Sequence, residues 1–250
     1  MGHVSLDRDG ATAIARIDRP PANAMDPALV EELVRTAEEL RRAPPRAVVL
    51  TGRDGFFSAG LDLKVVPSLD PAGRRDMIMG INRMVAAWCA LPVPVVVAVS
   101  GHAIAGGIVL ALAGDYRVGS TQGKLGLTEV QAGVPYPAGA IAIVHAELSA
   151  PAARLMVLAG RLYEPAAALE LGLVDELAEP GELVPRALAV AEELAGHPPE
   201  TYARVKAQQR GALVAELERI VAEHDDPLLE TWLSAETEAA ATAALRGDSP

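Results

Sequence analysis

The chain has 250 residues, with 33 acidic against 22 basic side chains, a net charge of -11, half of its residues hydrophobic and a single cysteine. That length and apolar content suit one large domain or two small ones and exclude a disordered chain, while the acidic excess argues against a protein that coats nucleic acid or an anionic membrane. Cys89 alone can build neither an intrachain disulfide framework nor a thiolate zinc site, so a reducing, cytoplasmic setting is expected.

Met1 to Gly10 lacks the apolar core of a secretory signal, and Leu6 stands where a myristoylation motif needs Ser or Thr. Val4–Leu6 and Ala11–Ile17 flank Asp9-Gly10, which predicts a hairpin. Asp26-Pro27 reads as a helix cap followed by proline in the first turn, with Leu29, Val30, Leu33, Val34, Ala37 and Leu40 on one apolar face and Pro44-Pro45 as the stop. Arg46–Gly52 reads as a short strand, and after a Gly/Ser-rich loop a helix is expected from Pro71 to Leu91. Leu91 to Gly114 carries no Asp, Glu, Lys or Arg, but its prolines and glycines divide it into a buried strand (Val93–Val99), a turn at Gly101 and a helix from about Ile104, rather than a membrane span.

A strand at Asp115–Val118 follows, and the alternation of strand and helix predicts a parallel α/β core. Beyond Gly139 the pattern is mostly helical: Ala140–Leu148, Pro151–Ala159, Pro165–Leu171, Leu183–Ala195, Pro199–Val221 and Leu228–Leu245, with one short strand at Leu173–Leu177. We read residues 1–190 as the α/β core and 191–250 as a helical extension, with no solenoid repeat.

Familiar short motifs are missing. No G-x-G-x-x-G follows a strand, no phosphate-binding G-x-x-x-x-G-K-[ST] is present, Gly55 stands one place too early for a serine-hydrolase elbow around Ser58, and the histidines lack H-E-x-x-H spacing. His102, His145, His197 and His224 are therefore read as loop or surface residues and no metal is expected. Two glycine-bearing turns remain, Phe57–Lys64 and Gly101–Gly107, each placed after a strand of the core. Loops at strand carboxyl ends border one crevice, and two backbone N–H groups aimed at one point there would form an oxyanion hole. From glycine spacing alone, tight structural connections are the favoured reading of both turns.

The order of several segments resembles the enoyl-CoA hydratase/isomerase (crotonase) superfamily. They are Arg19-Pro-Pro-Ala-Asn-Ala-Met25, Val49-Leu-Thr-Gly52, Phe57-Ser-Ala-Gly-Leu-Asp-Leu-Lys64, Val99-Ser-Gly-His-Ala-Ile-Ala-Gly-Gly107, Asp115-Tyr-Arg117, Leu127-Thr-Glu-Val-Gln-Ala-Gly-Val-Pro135 and Ala167-Ala-Leu-Glu-Leu-Gly-Leu-Val-Asp175. The resemblance implies a crotonase-like fold of repeated ββα units with a helical C-terminal extension. It also implies an acyl-CoA thioester substrate with no separate cofactor, and trimers or dimers of trimers held by the C-terminal helices.

Carried over position by position, the resemblance puts the oxyanion-hole N–H groups on Leu61 and Gly106. It lines the substrate with Ala59, Gly60, Asp62, Leu63, Lys64, Ala105, Val109 and Tyr136, with Lys64 and Lys206 as cations for the CoA moiety. The side chains of Asp62, Asp115, His102 and Cys89 are expected to be structural. Hydratases of the family use two glutamates. Here the first position is Val109 and the second is Glu129, and Val134-Pro-Tyr-Pro-Ala-Gly139 replaces the family's glycine-rich stretch, with Tyr136 pointing toward the acyl pocket.

Hydration is most easily run with two carboxylates, whereas moving a double bond from the 3 to the 2 position needs one base that takes a proton from C2 and returns it to C4. A 3-enoyl-CoA to 2-trans-enoyl-CoA isomerase with Glu129 as shuttle is therefore expected, in closer likeness to Δ3,Δ2-enoyl-CoA isomerases. Hydration or another crotonase reaction, and an acyl-CoA binding module without turnover, are the alternatives.

Overall fold

The computed structural model describes residues 2–65 and 68–234, together with Thr237, Ala239 and Ala243. Strands β1 (Val4–Asp9) and β2 (Thr12–Ile17) form the expected antiparallel hairpin, turning at Gly10 with φ +57°. Helix α1 (Pro27–Arg42) begins where the Asp26 side chain accepts the Leu29 N–H at 2.8 Å, and its predicted apolar face is the buried one. Strand β3 (Ala47–Thr51), helix α2 (Pro71–Cys89), strand β5 (Val95–Val99) and strand β7 (Tyr116–Ser120) fall close to their expected positions.

Two further strands were read as loop and turn. Gly55–Ser58 is strand β4 and Gly101–Ile104 is strand β6, after which helix α3 (Gly106–Leu112) begins two residues later than expected. Strand β8 (Leu125–Gly126), helix α4 (Glu129–Ala132) and strand β9 (Leu162–Tyr163) also escaped the periodicity, being two to four residues long. Segments that short complete barely one alternation, so only pairing with neighbours defines them.

With these added, the chain repeats a ββα unit as β3-β4-α2, β5-β6-α3 and β7-β8-α4. The first strand of each unit joins a six-stranded sheet ordered β1-β2-β3-β5-β7-β10, parallel from β2 through β10 (Glu176–Ala178). The second strand of each joins a smaller sheet ordered β4-β6-β8-β9, parallel across its first three.

Both faces of the large sheet are covered at its centre, which is why β3 and β5 read as nearly unbroken apolar runs. Val48, Leu50, Val95, Val97 and Val99 face the main core with α1 and α2, while Val49, Val96, Ala98 and Val118 pack under Leu183, Ala187, Val190 and Ala191 of helix α8 (Leu183–Ala195). Residue 190 lies inside that helix. Among the described residues no helix is long and apolar enough to cross a membrane.

Helices α5 (Ala138–Glu147), α6 (Ala150–Ala159) and α7 (Pro165–Glu170) follow the expected order. Helix α9 (Pro199–Glu223) lies across α2 and α5, burying Lys206, Arg210, Leu217 and Ile220. Helix α10 spans Leu229–Trp232. Most of the helix expected from 235 to 245 lies outside the described residues.

Candidate active site

The parallel neighbours β4, β6 and β8 deliver three chain segments side by side at their carboxyl ends. Beyond β4 comes Leu61, β6 runs directly into Gly106, and β8 is followed three residues later by Glu129. Adjacent strands stand about 4.8 Å apart, so the small sheet, rather than the large one, assembles the expected trio.

The Leu61 N–H is held open by a flanking strand-like segment. Gly60 accepts the Met25 N–H through its carbonyl at 2.7 Å, the Asp62 N–H donates to the Met25 carbonyl at 2.8 Å, and the Ala59 N–H donates to that of Ala22 at 3.0 Å. These bonds leave the Leu61 N–H without a partner among the described residues. Asn23 anchors the segment: fully buried, it donates to the Ile17, Phe56 and Phe57 carbonyls and accepts from the Arg19 N–H. Arg19 pairs with Asp26 at 2.9 Å and Asp62 at 3.0 Å, clamping both ends of the loop. The Arg19–Met25 motif is thus scaffolding for a donor it never contains, and Asp62, placed along the substrate by sequence, is turned to Arg19, in keeping with the structural part expected of its side chain.

Gly106 opens α3 with its N–H unpaired among the described residues, and Ala105 before it holds a positive φ of +51°. Such a conformation costs an alanine on the order of 1 kcal/mol and makes the abrupt turn from β6 into α3. The two donors are close: a methyl placed on Gly60 would lie 3.0 Å from Gly106 N and 2.7 Å from the Ile104 carbonyl oxygen, and one placed on Gly106 would lie 4.0 Å from Leu61 N. Gly107 is required as well, since a methyl there would meet the Ser58 carbonyl oxygen at 2.3 Å. Two adjacent outward N–H groups of this kind can stabilise an anionic oxygen.

Glu129 is only 8% exposed, and its Oε2 has no hydrogen-bond partner. Burial pushes its carboxyl up to about 7, against the opposing pull of its own and the Thr128 backbone N–H groups and of the Tyr136 hydroxyl. Tyr136 is nearly buried beside it, and that burial, with the neighbouring carboxylate, raises the phenol far above its ordinary value. Val109 is buried on α3 and brings no charge. A buried carboxyl pushed up to about 7 can take up and return one proton near neutral pH.

The cations divide. Lys64 is exposed just past the first donor, where its N–H binds the Asp62 side chain at 3.1 Å. Lys206 is not available to a ligand phosphate. Its Nζ is buried, donating to Asp115 at 2.6 Å and to the Val93 carbonyl at 3.0 Å, and burial lowers its pKa against the pull of Asp115. Sequence alone could not separate a solvated lysine on α9 from one turned inward. Leu63 sits half-buried in the turn before Lys64. Among the described residues no cluster of His, Cys, Asp and Glu could hold a metal. Cys89 is buried, and burial pushes its thiol up to about 12.

A family profile described as enoyl-CoA hydratase/isomerase matches residues 7–243. The probable enoyl-CoA hydratase EchA17 of Mycobacterium tuberculosis is 35% identical over 219 residues, 86% of this chain and 84% of that protein. Among solved structures, the probable enoyl-CoA hydratase EchA3 of Mycobacterium tuberculosis superposes with a TM-score of 0.83 at 31% identity, covering 92% of this chain and 98% of that one. Human mitochondrial Δ3-Δ2-enoyl-CoA isomerase superposes with a TM-score of 0.89 at 26% identity, covering 98% and 97%.

Proposed function

The chain belongs to the enoyl-CoA hydratase/isomerase family, an acyl-CoA-processing group with the crotonase fold, and from that premise we propose that it shifts the double bond of a 3-enoyl-CoA to give the 2-trans-enoyl-CoA. The observation that carries this reading is the single buried carboxylate of Glu129, with apolar Val109 at the position where the resemblance puts a hydratase's other glutamate. Glu129 takes the proton from C2, the thioester oxygen of the resulting dienolate accepts the Leu61 and Gly106 N–H groups, and the same carboxyl returns the proton to C4 as the double bond settles between C2 and C3. No oxidant, metal or second base enters the balance. Lys64 is the cation we assign to the CoA phosphates.

Offering 3-enoyl-CoA and 2-enoyl-CoA in D2O, while following ultraviolet conjugation and deuterium at C2 and C4, tests the reading. Conjugation with exchange at both carbons is expected. Net formation of 3-hydroxyacyl-CoA would mean hydration instead, and tight binding without exchange would mean a binding protein. Since a methyl on Gly60 would press on the Gly106 N–H, and Gly60 holds φ +79°, Gly60→Ala is expected to cut turnover about 100-fold or more. Normal steady-state rates in that variant would remove the oxyanion assignment.

For the assembly we propose a homotrimer or a pair of trimers. Exposed Val130 on α4 with Leu155 and Leu158 on α6 offers an apolar face to a second copy, and light scattering in solution checks the mass.

A further inference from the structure

A buried polar junction lies at the far end of the segment that follows Glu129. Asn82 on α2 is fully buried, and Asp226, in the corner between α9 and α10, is nearly so. The Asn82 amide Nδ2 donates to Asp226 Oδ2 at 2.9 Å, while Asn82 Oδ1 accepts the Gly139 N–H at 2.8 Å. Asp226 Oδ2 also accepts the Ala138 N–H at 2.8 Å, and its Oδ1 accepts the Leu228 N–H at 2.9 Å. Ala138 and Gly139 open α5, whose own N-cap residue, Pro137, has no side-chain acceptor to offer. A helix start buried without acceptors strands its first N–H groups, so the amide and the carboxylate act as a cap brought in from two other elements. Gly139 permits the approach: a methyl there would lie 2.8 Å from Asn82 Oδ1 and 3.2 Å from Asn82 Cα.

Between Glu129 and this cap the chain is short and stiff. Glu129 opens α4, Gly133 ends it in the left-handed conformation with φ +67°, and the Val134 N–H returns to the Glu129 carbonyl at 3.1 Å. Pro135 and Pro137 then restrict the backbone up to α5. Once Ala138 and Gly139 are fixed, the segment has little freedom to carry Glu129 elsewhere. We propose that Asn82 and Asp226 are positioning residues for Glu129: by capping α5 they hold the far end of segment 129–137, which makes the corner between α9 and α10 part of what places the shuttle. The inference rests on Glu129 as that shuttle. Neither side chain takes part in the proton transfer; what they supply is the location of the carboxyl that does.

The test is a double-mutant cycle between Asp226→Asn and Glu129→Gln, read as kcat and KM for isomerisation of a 3-enoyl-CoA, with urea titration giving the folded fraction of each variant. Asp226→Asn keeps the side-chain shape but turns an NH2 group toward a donor that the carboxylate accepts. Alone it is expected to lower kcat about 10- to 100-fold, the scale of an ångström-sized misplacement, with KM moving by no more than about threefold. On the Glu129→Gln background the same change should lower the residual kcat by less than about twofold, since a misplaced amide has no proton transfer to lose. A cap with a folding role only would lower Tm and leave kcat of the folded protein unchanged. That result overturns the proposal, as does an equal loss of kcat on both backgrounds. Should Asp226→Asn fold poorly, Asn82→Ser, which withdraws the amide from Gly139 and Asp226, enters the same cycle, with the same pattern expected and the same results fatal. Wild-type rates in Glu129→Gln would remove the shuttle and this inference with it; a slow Glu129→Gln beside a fully active Asp226→Asn removes this inference alone.

Discussion

Glu129→Gln is expected to slow isomerisation of a 3-enoyl-CoA by about 100- to 10,000-fold, the range over which a positioned acid-base group contributes. The amide keeps the shape of the side chain and can neither accept nor return a proton, so substrate affinity should change much less than turnover. In the wild-type protein kcat/KM should climb with pH through an apparent value of about 7, because the step begins from the ionised carboxyl. The variant should lack that limb altogether.

Stability should move the other way. The folded carboxyl titrates at about 7 against an ordinary value of 4.5, so between those values the folded protein holds more protons than the unfolded chain. Any stability contributed by the protonated group is complete below pH 4.5 and is lost as pH rises through 7. At pH 8 Glu129→Gln, which has no charge to bury, is expected to be more stable than wild type by roughly 1–3 kcal/mol in urea titrations. A slow but stabilised protein is the pattern of a functional residue held against its own solvation. A variant with undiminished turnover would end the isomerase mechanism proposed above.

The largest loss of stability is expected at Arg210. Its guanidinium, from α9, donates to the Ala113 and Gly114 carbonyls at 2.7 Å each, pairs with Glu147 at 2.9 Å and stands 3.6 Å from Asp115. Asp115 also binds Lys206 and the Val95 N–H, and Glu147 also binds Arg117 at 3.2 Å. Removing one member of such a buried set strands the others, so Arg210→Ala is expected to cost about 3–5 kcal/mol. For a chain of this size that lowers Tm by roughly 6–20 °C. Because Ala113 and Gly114 lie at the end of α3, whose first residue is Gly106, turnover should fall as well, and Arg210→Lys should restore only part of either. A Tm within a degree or two of wild type would show that the cluster carries no net stabilisation.

The hairpin at Gly10, the capped helix after Asp26 and the strand–helix alternation of the large sheet were legible because each rests on local chemistry: a turn residue, a cap, a periodic apolar face. Leu61, Gly106 and Glu129 were reached through the order of motifs rather than through any property of those residues. Nothing in composition distinguishes a leucine that lends its N–H from one that fills a core. What was missed is the small sheet, whose strands are too short to show a period. Also missed was the purpose of Arg19–Met25, which pairs with residues far along the chain, as in the Met25 N–H bond to the Gly60 carbonyl.

Lys206 was misjudged for the same reason. A lysine on an amphipathic helix reads as solvated until Asp115 and the Val93 carbonyl are brought against it. By itself the sequence determined where the strands of the large sheet lie, which helices carry apolar faces, that the acidic excess argues against coating a polyanion, and that Val109 brings no carboxylate to the reaction. Only the tertiary structure decided that three short parallel strands set two backbone donors and one carboxylate at neighbouring ends, and that this carboxylate is dry enough to titrate near 7. The physical reason is that burial and strand pairing are properties of distant residues meeting, and no local pattern encodes the dielectric around a side chain.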